Sequence, residues 1–432
     1  MQQDDSRKRF QVMNGPEPRL LVFSSLFPNS ATPNAGVFIR ERMFRVAKHL
    51  PLGAVVSPRP WFPGQGLIRL FRPYYRQGTS RPEVQSGIRV ILPRFLAMPC
   101  VLRRLDGLSM ALCSYLRLRR LRKKTGFNLL DAHFAYPDGY AATLLGKWLG
   151  VPVTITLRGT EIPHSKNPAL RPLLVRAMQR ADRLFSVSES LRQHAISLGI
   201  APSKIRVVGN GVDTARFQPV DGQEARRRLG IPQTARVLVS VGALVERKGF
   251  HRVIECLPEL ISENRQLHYL IVGGASAEGD RRRELEQQAR QLGLHQQVHF
   301  LGAMPPEELK WPLSAADVFV LATSNEGWAN VFLEAMACGL PVVTTDVGGN
   351  AEVVCRPELG TIVPFGDRQA LLDALRGALL RRWDSTLIRD YARENDWDRR
   401  VACLTGEFRQ IVRTPERASG TISGRDPEVK EK

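Results

Sequence analysis

The sequence predicts an α/β protein built from two doubly wound parallel-sheet domains. Three observations carry this. The length of 432 residues suits two domains of about 200 each. The second half alternates short β-branched runs with longer helical segments, the pattern of a parallel sheet with crossover helices. The first half opens with strand, loop and helix, and its later strands end in turns where open α/β sheets place their ligands.

The elements follow in order. Residues 1–18 read as a tail and 19–215 as the first domain. Arg19 to Ser25 is a short apolar strand, Phe27 to Gly36 a Pro/Asn/Gly loop, and Val37 to Leu50 a helix. Pro51 to Pro99, rich in proline, reads as strands and long loops. Strands are expected at Leu129 to His133, Pro152 to Leu157 and Lys204 to Val208, with a helix across Ala141 to Leu149 and helix then strand across Ala177 to Ser188. The turn Gly209-Asn210-Gly211 is built of residues that tolerate positive φ. Residues 216–235 read as a linker and 236–384 as the second domain. Its strands are expected at Arg236 to Val241, His268 to Val272, Val298 to Leu301, Val318 to Leu321 and Pro341 to Thr344. Its helices are expected at Phe250 to Glu263, Arg281 to Leu292, Glu307 to Leu313, Asn330 to Cys338 and Gln369 to Leu380. Residues 385–413 are closing helices, and 414–432, polar and unpatterned, read as disordered.

Composition excludes several classes. No apolar run approaches the ~18 residues of a membrane-spanning helix, and the opening MQQDDSRKRF does not read as a signal peptide. The six cysteines are scattered without a Cys-x-x-Cys pair, which fits reduced thiols in the cytoplasm and neither a disulfide frame nor a zinc site. The net charge of +20 is uneven. Residues 1–215 hold 33 Lys+Arg against 12 Asp+Glu, and residues 216–432 hold 29 against 30. Arg117, Arg119, Arg120, Arg122, Lys123 and Lys124 follow an apolar stretch, Leu108 to Leu116, and Arg103 and Arg104 precede it. Such a face suits an anionic membrane surface; a plain solvated helix face is the alternative. Aromatic interleaving is sparse, so nucleic acid is not expected as a partner.

The chemistry concentrates between Thr323 and Glu352 (TSNEGWANVFLEAMACGLPVVTTDVGGNAE). A loop carries Glu326, and the helix after it carries Glu334. Asn330 is placed to cap that helix and Gly339 to end it. Amides around Gly327 to Val331 sit where a helix dipole favours anions. Two carboxylates with anion-seeking amides between them suit a ligand bearing both phosphate and hydroxyls, such as a nucleotide sugar.

This segment resembles the Glu, seven residues, Glu motif of retaining glycosyltransferases of family 4, which have the GT-B fold: two Rossmann-like domains facing across a cleft, with a C-terminal helix crossing back. FSVSESLRQHAISLG, KIRVVGNGVDTARFQP, VGALVERKGF, LIVGG, VHFLG and AADVFVLATSNEG match the family's other motifs in its order. The resemblance implies that Lys248 binds donor phosphate, that Glu334 accepts hydrogen bonds from the ribose hydroxyls, and that Glu326 faces the transferred sugar. Gly36, Gly242, Gly273, Gly327, Asn330 and Val331 complete the donor site on this reading, and Trp328, Asn330 and Asn350 bear on sugar choice. Arg247 adds charge where Ala243 stands in place of an arginine common in the family. His133 matches a histidine common after the corresponding strand; as a lone histidine it reads equally as structural. Arg158 replaces a histidine of the family pattern. It stays protonated, so it clamps anions and does not act as a base; it points to an anionic sugar or a lipid diphosphate acceptor. The catalytic candidates are thus Glu326, Lys248, Arg247, His133 and Arg158. No metal or other cofactor is expected, since Asp396-Trp397-Asp398 lies outside the motifs and basic groups would meet the diphosphate charge.

The function expected is retaining transfer of a sugar from a nucleotide diphosphate sugar onto a glycan or lipid-linked acceptor in cell-surface polysaccharide synthesis, at the inner face of the cell membrane. A phosphorylase or nucleotide-sugar epimerase on the same fold, or a non-catalytic docking module, are the other classes open to this sequence.

Overall fold

The structure, a computed structural model, describes residues 16–33, 35–71, 81–98, 102–276 and 278–413. The expected tails therefore fall outside it, apart from residues 16–18. The first domain runs β1 (Leu20–Phe23), α1 (Val37–Val46), β2 (Leu52–Val56), β3 (Arg59–Trp61), α2 (Gln65–Phe71), β4 (Glu83–Gln85), β5 (Ile88–Ile91), β6 (Arg94–Leu96), α3 (Asp106–Thr125), β7 (Leu129–His133), α4 (Tyr140–Leu149), β8 (Val153–Leu157), α5 (Glu161–Ser165), α6 (Arg171–Arg180), β9 (Arg183–Ser186), α7 (Glu189–Ser197) and β10 (Ile205–Val207). The second runs α8 (Gly222–Leu229), β11 (Arg236–Val241), α9 (Phe250–Glu263), β12 (Leu267–Val272), α10 (Arg282–Gln291), β13 (Val298–Gly302), α11 (Lys310–Ala315), β14 (Val318–Leu321), α12 (Asn330–Ala337), β15 (Val342–Thr345), α13 (Asn350–Val353), β16 (Gly360–Val363) and α14 (Arg368–Leu380), followed by α15 (Ser385–Glu394) and α16 (Trp397–Arg413).

The first sheet has the order β10-β9-β8-β7-β1-β2-β5-β4, parallel except for β4 against β5. The second has the order β13-β12-β11-β14-β15-β16 and is parallel throughout. In both, strand order reverses beside the first strand, so the carboxyl ends of β1 and β7, and of β11 and β14, open onto crevices that bind ligands in such sheets. All four residues of β1 are buried, as parallel strands covered on both faces must be.

Alternate residues of β1 feed two cores. Leu21 and Phe23 join Met110 and Leu118 of α3 and Leu145 of α4. Leu20 and Val22 join Ile39 and Met43 of α1 and Val401, Leu404 and Phe408 of α16. The last helix of the chain therefore covers one face of the first sheet, and Phe408 meets Phe185 edge-on with centroids 5.5 Å apart. The two chain crossings between domains are fastened to each other. Val212 N–H donates to Asn395 O at 3.1 Å, and Thr214 Oγ1 donates to Asp396 at 2.8 Å.

Several expectations change. The helix after the first loop ends at Val46, not Leu50. The Pro-rich segment contains α2 besides its strands, and the apolar stretch with its basic run forms one helix, α3. The segment read as a linker contains α8, capped by Asp221. Gly209 and Gly211 are not at positive φ. They are glycines because a Cβ there would come within 2.9 Å of the Trp328 ring and 2.7 Å of the Trp397 backbone. Asn330 is the first residue of α12, not its cap, and its side chain is used elsewhere.

Because Phe408 is fully buried in the first domain's core, Phe408→Ala is expected to cost about 3–5 kcal/mol. Urea unfolding measures the loss, and hydrogen exchange should place it in β1 and β9, not in β11 to β16.

Candidate active site

The loop after β11 and the loop after β14 bring opposite charges together. Lys248 Nζ lies 2.5 Å from Glu326 Oε1, and both side chains are largely buried. Thr323 Oγ1 donates to the same oxygen at 3.3 Å. Arg247 approaches Glu326 at 3.5 Å but is held in a two-point pair with Glu278, at 2.7 and 2.8 Å. That pair pushes the Arg247 pKa up further. The loops are tied by Ser324 N–H donating to Arg247 O at 2.7 Å. Gly242 and Gly273 pack backbone to backbone behind this pair; a Cβ on Gly273 would lie 1.8 Å from Gly242 O.

α12 begins directly after Ala329, leaving the first-turn amides of Asn330 and Val331 without intrahelical partners. Glu334, one turn further on, is half-buried, and its carboxylate receives no hydrogen bond from any described residue. Burial raises its pKa from the ordinary 4.5 to about 7; Arg216 and Lys248 oppose the rise and Glu41 of α1 adds to it.

The first domain supplies the opposite wall. Gly36 opens α1 at φ 73°, and a Cβ there would fall 2.5 Å from Leu26 O. Asp138, fully buried, accepts hydrogen bonds from Ser25 N–H and, at 2.9 Å, from Ser25 Oγ, fixing the exit of β1. Burial pushes its pKa up to about 7. Glu161 accepts from the amides of Ala135, Arg158 and Gly159 at 3.0, 3.0 and 2.8 Å and so holds the loops after β7 and β8.

Arg158 lies under the Phe38 ring, 4.8 Å from its centroid. Its Nε donates to His133 Nδ1 at 3.2 Å, and its Nη1 donates to Asn210 Oδ1 at 3.2 Å. Asn210 in turn donates to Asn330 Oδ1 at 2.9 Å. His133 is fully enclosed, with Nε2 3.4 Å from Asp131. Burial, then Arg158 and Arg42, push its pKa well below the usual range, so the ring is neutral. Since Nδ1 accepts from Arg158, the ring proton is assigned to Nε2. His133, a catalytic candidate from the sequence, is enclosed here and accepts from Arg158, which it helps to position. Arg158 is itself depressed in pKa by burial and by Arg42, yet guanidinium stays charged.

The two walls touch. A Cβ on Gly327 would lie 2.3 Å from Arg158 O, so only glycine allows this approach. Glu352 of α13 accepts from the first amides of α7, Glu189 N–H at 2.6 Å and Ser190 N–H at 2.8 Å. Sequence reading singled out Lys248, Glu326 and the glycines one by one, and the structure brings Lys248 and Glu326 together. Sequence reading missed Asp138, Asn210 and Glu352, whose partners are distant in sequence. Asn350 is buried, and its Nδ2 donates to Thr344 Oγ1 and Thr345 O at 3.1 and 2.9 Å. Trp328 packs against Gly209.

Two doubly wound sheets sharing one cleft, with the last helix returned to the first domain, make this a GT-B protein, the fold of a large class of glycosyltransferases. Comparison with known proteins agrees. Residues 69–216 match the family model described as Glycosyltransferase Family 4, and residues 221–395 match Glycosyl transferases group 1. The Bacillus subtilis (strain 168) protein TuaC, provisionally named as a teichuronic acid biosynthesis glycosyltransferase, is 30% identical over 83% of this chain and 88% of its own. A D-inositol 3-phosphate glycosyltransferase of Corynebacterium urealyticum is 36% identical over 91% of this chain and 95% of its own. Among solved structures, sucrose-phosphate synthase from Thermosynechococcus elongatus superposes with a TM-score of 0.72 at 20% identity, over 92% of this chain and 99% of that one. Anabaena HepE, solved with UDP and glucose, superposes with a TM-score of 0.67 at 19% identity, over 91% and 99%. The chain belongs to glycosyltransferase family 4, and it is a glycosyltransferase.

Two outcomes are expected. Gly327→Ala forces the walls apart and should lower kcat/KM at least tenfold, about 1.4 kcal/mol, with little change in nucleotide affinity by calorimetry. Glu334 has a raised pKa in the folded state, so its contribution to stability is full below pH 4.5 and lost as pH rises through about 7. Glu334→Gln should therefore be more stable than the parent at pH 8, by about 1–2 kcal/mol after allowing for solvent at the half-buried carboxyl, and equal to it at pH 4.

Proposed function

We propose that this glycosyltransferase moves a sugar from a nucleotide diphosphate sugar, with retention at the anomeric carbon, onto a glycan or lipid-linked acceptor for a cell-surface polysaccharide. The observation that carries the reading is the Lys248–Glu326 pair at 2.5 Å, at the carboxyl ends of β11 and β14. On this reading the donor diphosphate takes over Lys248, and Arg247 and the first-turn amides of α12 share the charge that grows on the leaving group. Glu326, freed towards the sugar, places it. Glu334, ionised, accepts from the ribose hydroxyls. The leaving phosphate takes the acceptor proton on the same face, which requires no protein base and suits a wall where His133 is enclosed and Arg158 stays protonated. Charge neutralisation by these groups is proposed to require no metal.

The relatives support the coarser features of the proposal. TuaC is named for teichuronic acid biosynthesis, and HepE was solved with UDP and glucose. The lipid-linked acceptor rests on α3. Leu108, Leu112 and Leu116 are 40%, 59% and 61% exposed along one ridge, with the basic run beyond them. Tyr136, in the loop that follows β7 at the cleft, donates to Arg103 O at the apolar end of α3. A membrane lying on that ridge, at the cytoplasmic face, would present an anchored acceptor beside the cleft. Among the described residues no helix is long and apolar enough to cross a membrane.

Thermal unfolding with UDP, GDP, ADP, CMP and dTDP tests the donor. The cognate nucleotide at ~100 times its dissociation constant should add ~2.7 kcal/mol, and Glu334→Ala should remove the effect. No shift with any of them would refute the donor site. With the donor known, NMR of the product should show the donor's anomeric configuration, and EDTA should leave the rate unchanged.

A further inference from the structure

Glu352 fastens the two domains together away from the Lys248–Glu326 pair. It stands on α13, and its two carboxylate oxygens accept from Glu189 N–H at 2.6 Å and Ser190 N–H at 2.8 Å. These are the first two amides of α7, which lack partners within their own helix. The third, Leu191 N–H, is taken by Ser188 Oγ at 3.3 Å. One helix end is thus capped twice, once by its own N-cap residue and once by a residue of the other domain, 163 positions beyond Glu189. A carboxylate on helix amides makes charge-assisted bonds that the helix dipole strengthens. This second cap exists only where the two domains stand in this arrangement, and no step of sugar transfer proposed above uses it.

The contact lies directly behind the donor loop. Asn350, through Thr344 Oγ1 and Thr345 O, ties the start of α13 to the end of β15. Gly348 and Gly349 fill the space between α13 and the loop carrying Glu326. A Cβ on Gly348 would lie 1.7 Å from Glu326 O, and one on Gly349 would lie 2.6 Å from Gly327 O and 3.0 Å from Ser188 Cβ. Gly349 N–H also donates to Glu326 O at 3.4 Å. The backbone of Glu326 and Gly327 is therefore held on two sides. Arg158 O and Gly159 of the first domain meet it on one, and the Gly348-Gly349 turn meets it on the other. Glu352 fixes that turn to α7. We infer that Glu352 is a positioning residue for Glu326, setting the backbone of the sugar-facing loop when the first domain is seated against it. This inference rests on the reading above in which Glu326 places the transferred sugar.

The test removes the contact from the first domain and leaves α13 untouched. Glu189 is the first residue of α7 and follows Ser188 at φ −147° and ψ 157°. Proline suits that place, since the first helical position needs no N–H for the helix and the residue before proline is extended. Glu189→Pro thus deletes one donor to Glu352 and keeps α7. Glu189→Ala is its reference, because it loses the same side-chain bonds to Arg192 and Gln193 but keeps the N–H. Glu352→Gln weakens the contact from the other side. Hydrogen exchange is read by NMR at the Gly349 amide, in the second domain. In Glu189→Pro and Glu352→Gln it should be about tenfold faster than in Glu189→Ala, the scale of one lost hydrogen bond to a charged group. A cap that serves α7 alone leaves Gly349 exchanging equally in Glu189→Pro and Glu189→Ala, and that result overturns the inference whatever Glu352→Gln shows. Affinity for UDP, GDP, ADP, CMP and dTDP is measured by calorimetry on the same proteins. The nucleotide that binds the parent should bind each variant within about twofold, since Lys248 and Glu334 are distant from the change. A larger loss would give Glu352 a general structural role and also overturn the inference. If none of the five binds the parent, the donor site itself is refuted and the positioning role falls with it. Equal Gly349 exchange with normal nucleotide binding sinks the positioning role alone.

Discussion

One face of the first sheet is covered jointly by α1 and by α16, the last described helix, and the active cleft inherits its geometry from that constraint. To deliver Val401, Leu404 and Phe408 beneath β1 and β9, the chain must pass between the domains twice. The two passages lie against each other, with Gly211 packed on the backbone of Trp397. The residues of the crossing are then also residues of the site. Asn210 sits between Arg158 of the first domain and Asn330 of the second. Arg216 bears on Glu334 while pairing with Glu41 of α1 at 3.4 Å. Crossing and site are not separable in this architecture, so a change in either will be felt in both.

Charge is distributed unequally between the two carboxylates of the second domain. Glu326 has Lys248 as its immediate partner. Glu334 has none within hydrogen-bonding distance and is left with a raised pKa. A carboxylate already paired can exchange its partner for a ligand's charge, and one that lacks a partner is set to accept a ligand's donors. The first domain shows a different balance. Arg42, Arg158 and Asp131 are enclosed together, and burial lowers the arginines while raising Asp131 to about 6.

The second domain was largely legible in the sequence. Arg236 to Val241 and Phe250 to Glu263 were read to their observed limits, because β-branched runs and a strongly amphipathic helix declare themselves locally. The first domain was less so. α2 lies in a Pro-rich segment, and α8, short and mostly charged, reads as a linker unless its packing against α11 is known. Lys248 and Glu326 were each marked by motif context, but their pairing was not, because it joins two loops 78 residues apart. Asn210, Asp138 and Glu352 were not, since each acts on a partner more than a hundred residues away, which no local pattern records.

The return of α16 also has a consequence during synthesis. The first domain's strands are complete when β10 emerges from the ribosome, but the face formed by Leu20, Val22, Phe185 and Val208 is covered only in part, by Ile39, Met43 and Val46 of α1, until α16 is made. At about 5–20 residues per second, the intervening domain delays that helix by on the order of 10–40 s. For that interval a nascent chain carries a partly covered apolar sheet face, a natural substrate for a chaperone.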